Sequence, residues 1–153
     1  DMMATISELY NDARKNLSKG IDGLLRESDP AYIADGIASD LLGYGWSNGM
    51  ATSTGNVRTV PNKGGISSDS TIRVQFNISP NPFTYCVESA DAMLPSDDRA
   101  FTFMRYEGSN TSAAVAYDGQ YRCVSLGFPI EALTSQQQVD GLMCEVMRFL
   151  LRY

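Results

Sequence analysis

The sequence predicts an α/β domain whose second half supplies the sheet and closes it with a β-hairpin and a final helix. Three observations carry that prediction. Ala113, Val115 and Tyr117 alternate with Ala114 and Ala116 ahead of Asp118-Gly119, a two-residue turn signal, and Tyr121–Leu126 returns as a second strand. Cys123, Val124 and Leu126 leave that second strand apolar on both faces, the pattern of a strand covered on each side. Val139, Leu142, Met143, Val146 and Leu150 then fall at helical spacing within Thr134–Tyr153, which a Thr134…Gln137 capping box opens.

Taken in chain order, the first element is a helix. Thr5 and Glu8 form a capping box, and Ile6, Leu9, Ala13, Leu17, Ile21 and Leu24 keep one face despite Gly20 and Gly23. Asp29-Pro30 starts a second helix, with Ile33, Ile37 and Leu41 four apart and Gly43 as its stop. From Tyr44 to Ser70 the composition turns to Gly, Ser, Thr and Asn, which reads as loop or edge strand with a short extended piece at Asn56–Val60. Strands follow at Thr71–Ile78, Phe83–Glu88 and Phe101–Tyr106, separated by Pro and Asp turns. A strand covered on both faces wants parallel neighbours from βαβ units, and the first half offers none. Those neighbours are expected upstream of Asp1.

Length and charge set the outer limits. A chain of 153 residues makes one domain, here 1–153, and 43% hydrophobic with 20% charged residues is ordinary for a folded one. The net charge of −6, with the basic residues scattered, argues against a nucleic-acid partner, because phosphate binding needs clustered Lys and Arg. No apolar run approaches the roughly 20 residues that cross a bilayer and no signal peptide is present, so no membrane partner is expected. The Asp1-Met2-Met3 opening reads as a trimmed product, which leaves secretion open.

The chemistry is sparse. There is no histidine, so the usual metal ligand and general base are both missing. Cys86, Cys123 and Cys144 lack CxxC spacing and read as buried, inert thiols; no catalytic residue, metal or cofactor is expected. Asp97-Asp98 reads as a solvated turn, and Arg105 with Glu107 as a surface pair. Three residues stand out as weak ligand-binding candidates. Tyr44 and Trp46 suit a platform on which a sugar ring stacks, although a lone Trp just past a helix end more commonly folds back onto the core. Glu131 follows Phe128-Pro129-Ile130 at the carboxyl end of the covered strand, where open α/β sheets place ligands. Its negative charge equally suits the N-terminus of the last helix.

The segments ADGIASDLLGYGW and TYCVESADAMLPSDDRAFTFMRYEGSNTSAAVAYDGQYRCVSLGFPIEAL, with the closing helix, resemble the C-terminal part of a domain in large secreted Bacteroidetes proteins commonly labelled xanthan lyase. The resemblance covers most of 31–153, and Asp1-Met2 matches the tail of a Gly-Ser-Asp-Met-like loop of that family. It implies the three-layer, flavodoxin-like sheet of class I glutamine amidotransferases, of which this chain would be the second part. It also implies a secreted or periplasmic location. The amidotransferase nucleophile elbow Gly-x-Cys-x-Gly and its His are absent here, so no catalytic role carries over.

Two functions are therefore expected. The first is a non-catalytic amidotransferase-like module of a carbohydrate-processing protein, structural or glycan-binding, whose partners are a polysaccharide and neighbouring domains or a second copy. The alternative is a hydrolase or polysaccharide lyase whose site is completed by residues upstream of this chain.

Overall fold

A computed structural model describes residues 38–61, 71–80, 82 and 85–151. The helical expectations for Thr5–Leu24 and for most of Pro30–Gly43, and the start of the Phe83–Glu88 strand, lie outside them. Residues 85–88 are not extended into a strand.

The described part is mixed α/β: seven strands in one antiparallel sheet and a long final helix. The strands are β1 (Tyr44–Asn48), β2 (Asn56–Thr59), β3 (Arg73–Gln75), β4 (Ala92–Pro95), β5 (Ala100–Tyr106), β6 (Ser112–Asp118) and β7 (Arg122–Leu126), and the helix α1 is Gln136–Leu151. They run in the order β1-β4-β6-β5-β2-β3, with β7 also paired to β6. Every pairing among the described strands is antiparallel. A flavodoxin-like sheet is parallel, so the described sheet departs from that expectation.

The hairpin forms as the alternation predicts, with one correction. Asp118 is the last residue of β6, opposite Arg122, and Gly119–Tyr121 make a three-residue loop in which the Gly119 N–H reaches the Tyr121 carbonyl at 3.0 Å. The Asp118 carboxylate takes a 2.8 Å hydrogen bond from Arg122 Nε, and this staple across the hairpin keeps Asp118 in the strand instead of the turn. Such a short loop joins antiparallel strands only, so β7 needs no parallel neighbours. It is half-buried along its length rather than covered on both faces.

Strand β6 is an interior strand of the described sheet, and both of its faces are packed. From Ala114 on, Ala114 and Ala116 belong to one apolar cluster and Val115 and Tyr117 to another, as period-two alternation demands. Ala113, at the register slip between Met104↔Ala114 and Arg105↔Ser112, joins the cluster of Ala114 instead of that of Val115. On the first face α1 lays down Leu142, Val146 and Phe149. The Phe149 ring meets Phe101 edge-on at 5.6 Å and Phe103 at 6.3 Å. The register Thr102↔Val115 followed by Met104↔Ala114 leaves Phe103 as the extra residue of a β-bulge, which turns two consecutive side chains inward. On the second face Met93, Ala100, Val115 and Tyr117 pack with Tyr44 and Cys123.

Between β7 and α1 the chain passes to the far edge of the sheet. Phe128 stacks on Phe76 at 5.1 Å, Ile130–Ala132 make one 3₁₀ turn, Leu133 bridges to Phe76, and the Thr134 N–H reaches the Gln75 carbonyl. That edge use of Thr134 displaces the expected capping box by one residue. Ser135 Oγ accepts the Gln138 N–H, while Gln138 Oε1 turns outward to accept the Gln75 N–H at 2.8 Å. Met143 lies off the packed face of α1, and Glu145, bonded to Arg148, lies on it.

Ahead of β1, Ala38–Leu42 form one π-helical turn that ends at Gly43, the stop expected from the sequence. Gly43 is left-handed (φ 74°), and a Cβ there would sit 2.7 Å from the Tyr117 ring. Only glycine lets the chain turn this close to the second cluster. No described helix is long and apolar enough to cross a membrane.

Candidate functional site

The candidate site stands at the open end of the β1–β4 ribbon. Trp46 is opposite Met93, and the register slips between Trp46 and Asn48. Beyond the slip, the chain from Gly49 to Ala51 is tied to Ser89–Asp91. The Met50 N–H donates to Ser89 Oγ at 2.9 Å and the Ala51 N–H to the Ala90 carbonyl at 2.9 Å. Ala51, Ala90 and Ala92 are buried, and these small side chains let the two segments lie close on the core. Met50 is left-handed (φ 54°) and 79% exposed, so a bulky apolar side chain is held in solvent at a strained position.

Trp46 is 60% exposed and does not fold back onto the core as a lone Trp past a helix end commonly does. Its indole Nε1–H donates to Asp91 Oδ1 at 3.2 Å. Asp91 is itself held from below. Its N–H donates to the Gly127 carbonyl at 2.9 Å, and its carbonyl accepts the hydroxyl of the fully buried Tyr106 at 2.8 Å. Gly127 in turn donates to Ala113 in β6. The indole is thus tied through one carboxylate to the centre of the sheet. Burial, and after it the nearby Asp91 charge, pushes the Tyr106 phenol above its usual range and keeps it a donor.

Gly127 makes this junction possible. A Cβ at that position would lie 2.2 Å from the Asp91 carbonyl oxygen, so the main chains of the residue just after β7 and of the residue just before β4 meet only because there is none.

The other two candidates take different places. Tyr44 is half-buried against Met93, Ala100, Val115 and Tyr117, so it is a packing residue below Trp46 on the same strand face. Glu131 is exposed in the 3₁₀ turn beside β3, and the strand order puts β3 at the opposite end from β1. The structure brings Tyr44 and Trp46 onto one ribbon and leaves Glu131 apart. Glu131 does not cap α1 either, whose N-terminus is served by Ser135. The ligand rule for strand ends applies to parallel sheets, and β7 is antiparallel.

Sequence reasoning missed Asp91, Ser89 and Met50. Asp91 lies 45 residues from Trp46, and no local pattern links them. The cysteines are also corrected: Cys86 and Cys123 are half-buried and Cys144 is exposed, all three as free thiols. Burial raises the Cys123 thiol above its usual range, and the thiol faces the Leu42 carbonyl at 3.6 Å. Asp97 forms the expected turn, its Oδ1 accepting the Arg99 and Ala100 N–H groups, and the Arg99 side-chain hydrogen bond holds its carboxyl below the usual carboxylate range. Arg105 and Glu107 do not pair; Arg105 binds the Asn110 carbonyl and Glu107 binds Arg73.

Elsewhere, a shallow depression of about 530 Å³ is lined by Gly119, Gln120, Tyr121, Arg122, Leu150 and Leu151. Its one charged group, Arg122, is spent on Asp118 and on the Phe149 carbonyl. The Trp46 ribbon is therefore where an aromatic face and a carboxylate stand together in solvent. No protein family, curated protein or solved structure matches the chain.

Proposed function

We propose that this domain is a non-catalytic, carbohydrate-binding module of a secreted carbohydrate-processing protein, with Trp46 as the surface on which a sugar ring stacks. One observation carries the proposal: an exposed indole whose edge is fixed by Asp91. An indole face attracts the C–H face of a pyranose, and a ring already immobilised loses little entropy on binding. The missing histidine and nucleophile elbow favour binding over cleavage. The resemblance to xanthan-lyase-labelled proteins supplies the secreted setting and the polysaccharide. Its flavodoxin-like part requires parallel strands joining from outside the described residues, as neighbouring segments or domains.

Native affinity electrophoresis in gels containing soluble polysaccharides tests the proposal. Retardation in at least one glycan gel, lost in Trp46→Ala with an unchanged melting temperature, supports it. Equal retardation of Trp46→Ala and the parent overturns it.

A further inference from the structure

We infer that the ligand of the Trp46 platform is an uncharged pyranose, with Asp91 accepting one of its hydroxyls, and not a uronate. The inference rests on the glycan-binding reading and narrows it. Asp91 Oδ1 is taken by the indole N–H, while Oδ2 makes no hydrogen bond among the described residues. A carboxylate oxygen beside an aromatic face is an acceptor suited to a sugar hydroxyl, and a hydrogen bond to a charged acceptor is stronger than one to a neutral group.

The same carboxylate disfavours an acidic sugar. A uronate stacked on Trp46 brings a second negative charge to Asp91, on a chain of net charge −6. Accepting it would need a cation at the platform, and the described arginines are committed elsewhere. Arg58 and Arg105 hold Asn110, Arg73 holds Glu107, Arg99 holds Asp97, Arg122 holds Asp118 and Arg148 holds Glu145. Two unit charges about 5 Å apart at a wetted surface repel enough to weaken binding on the order of fivefold.

The chain's one tryptophan makes the test direct, because tryptophan emission, excited selectively over the eight tyrosines, reports this site alone. The purified chain is titrated with neutral oligosaccharides (β-1,4-glucan, β-1,4-mannan and β-1,4-galactan hexamers) and with an oligogalacturonate hexamer at low and high salt. A neutral hexamer should give a saturable fluorescence change. The uronate should bind at least about fivefold more weakly at low salt, and the gap should narrow at high salt or in Asp91→Asn, where the charge is screened or removed. Uronate binding as tight as the best neutral sugar overturns this inference and leaves the glycan-binding reading standing. Failure of every hexamer to bind overturns both.

Discussion

The hydroxyl of Tyr106, on the buried strand β5, donates to the main-chain carbonyl of Asp91 at 2.8 Å, and the Asp91 side chain holds the exposed Trp46. A core residue thereby sets the position of a surface one. The Gly127 carbonyl stands 3.3 Å from the same hydroxyl, so Tyr106 joins the end of β7 to the start of β4. Replacing Tyr106 with Phe keeps the ring and strips the Asp91 carbonyl of its buried donor. The expected cost is about 1–2 kcal/mol of stability, measured by urea unfolding. An unchanged midpoint would show that the hydroxyl bears no load.

The same residue gives a pH dependence. The folded phenol is raised, so its contribution to stability is complete below the unfolded value of about 10 and declines as pH climbs beyond it. Melting temperature should fall more steeply above that pH in the parent than in Tyr106→Phe, whose side chain has no proton to lose. Parallel alkaline curves for the two proteins would contradict this.

Gly127→Ala places a Cβ against the Asp91 carbonyl, a backbone atom that cannot swing aside. The expected destabilisation is about 1–3 kcal/mol. Because the displaced residue is Asp91, Trp46 fluorescence in the folded state should shift as well. Gly141→Ala, at a site inside α1 with open space around it, is the control: it should leave Trp46 fluorescence unchanged and, because alanine suits a helix better than glycine, raise stability by about 0.5–1 kcal/mol.

Phe149 anchors α1 to the sheet through Phe101 and Phe103. Truncation to Ala should cost about 3–5 kcal/mol by calorimetry or denaturant titration. Leu151→Ala, at an exposed position in the same helix, should change stability little.

The sequence was most legible where local rules act alone. The β6–β7 hairpin, β5, β2, the Gly43 stop and α1 each follow from alternation, helical spacing or a glycine's freedom. Strand β4 was hidden, and β1 was legible only as loop or edge strand, the place it takes at the end of the strand order. Gly45, Ser47 and Asn48 carry weak strand preference, and Leu94-Pro95 reads as a turn, so it is the pairing of β1 with β4, and of β4 with β6, that makes them extended. β7 looked covered on both faces because Cys123 serves one cluster while Val124 and Leu126 serve the other, with no parallel partner needed. At the site, Trp46 was visible as a residue and its exposure was not. That depends on Asp91, which a register slip and a distant glycine bring beside it.

Acrylamide quenching of the single tryptophan, with and without oligosaccharide, is the most direct check on Trp46 as a ligand platform. The free protein should be quenched readily, as a 60% exposed indole requires, and the saturating neutral hexamer should protect it. A tryptophan already shielded in the free protein, or one that no glycan protects, would contradict the account.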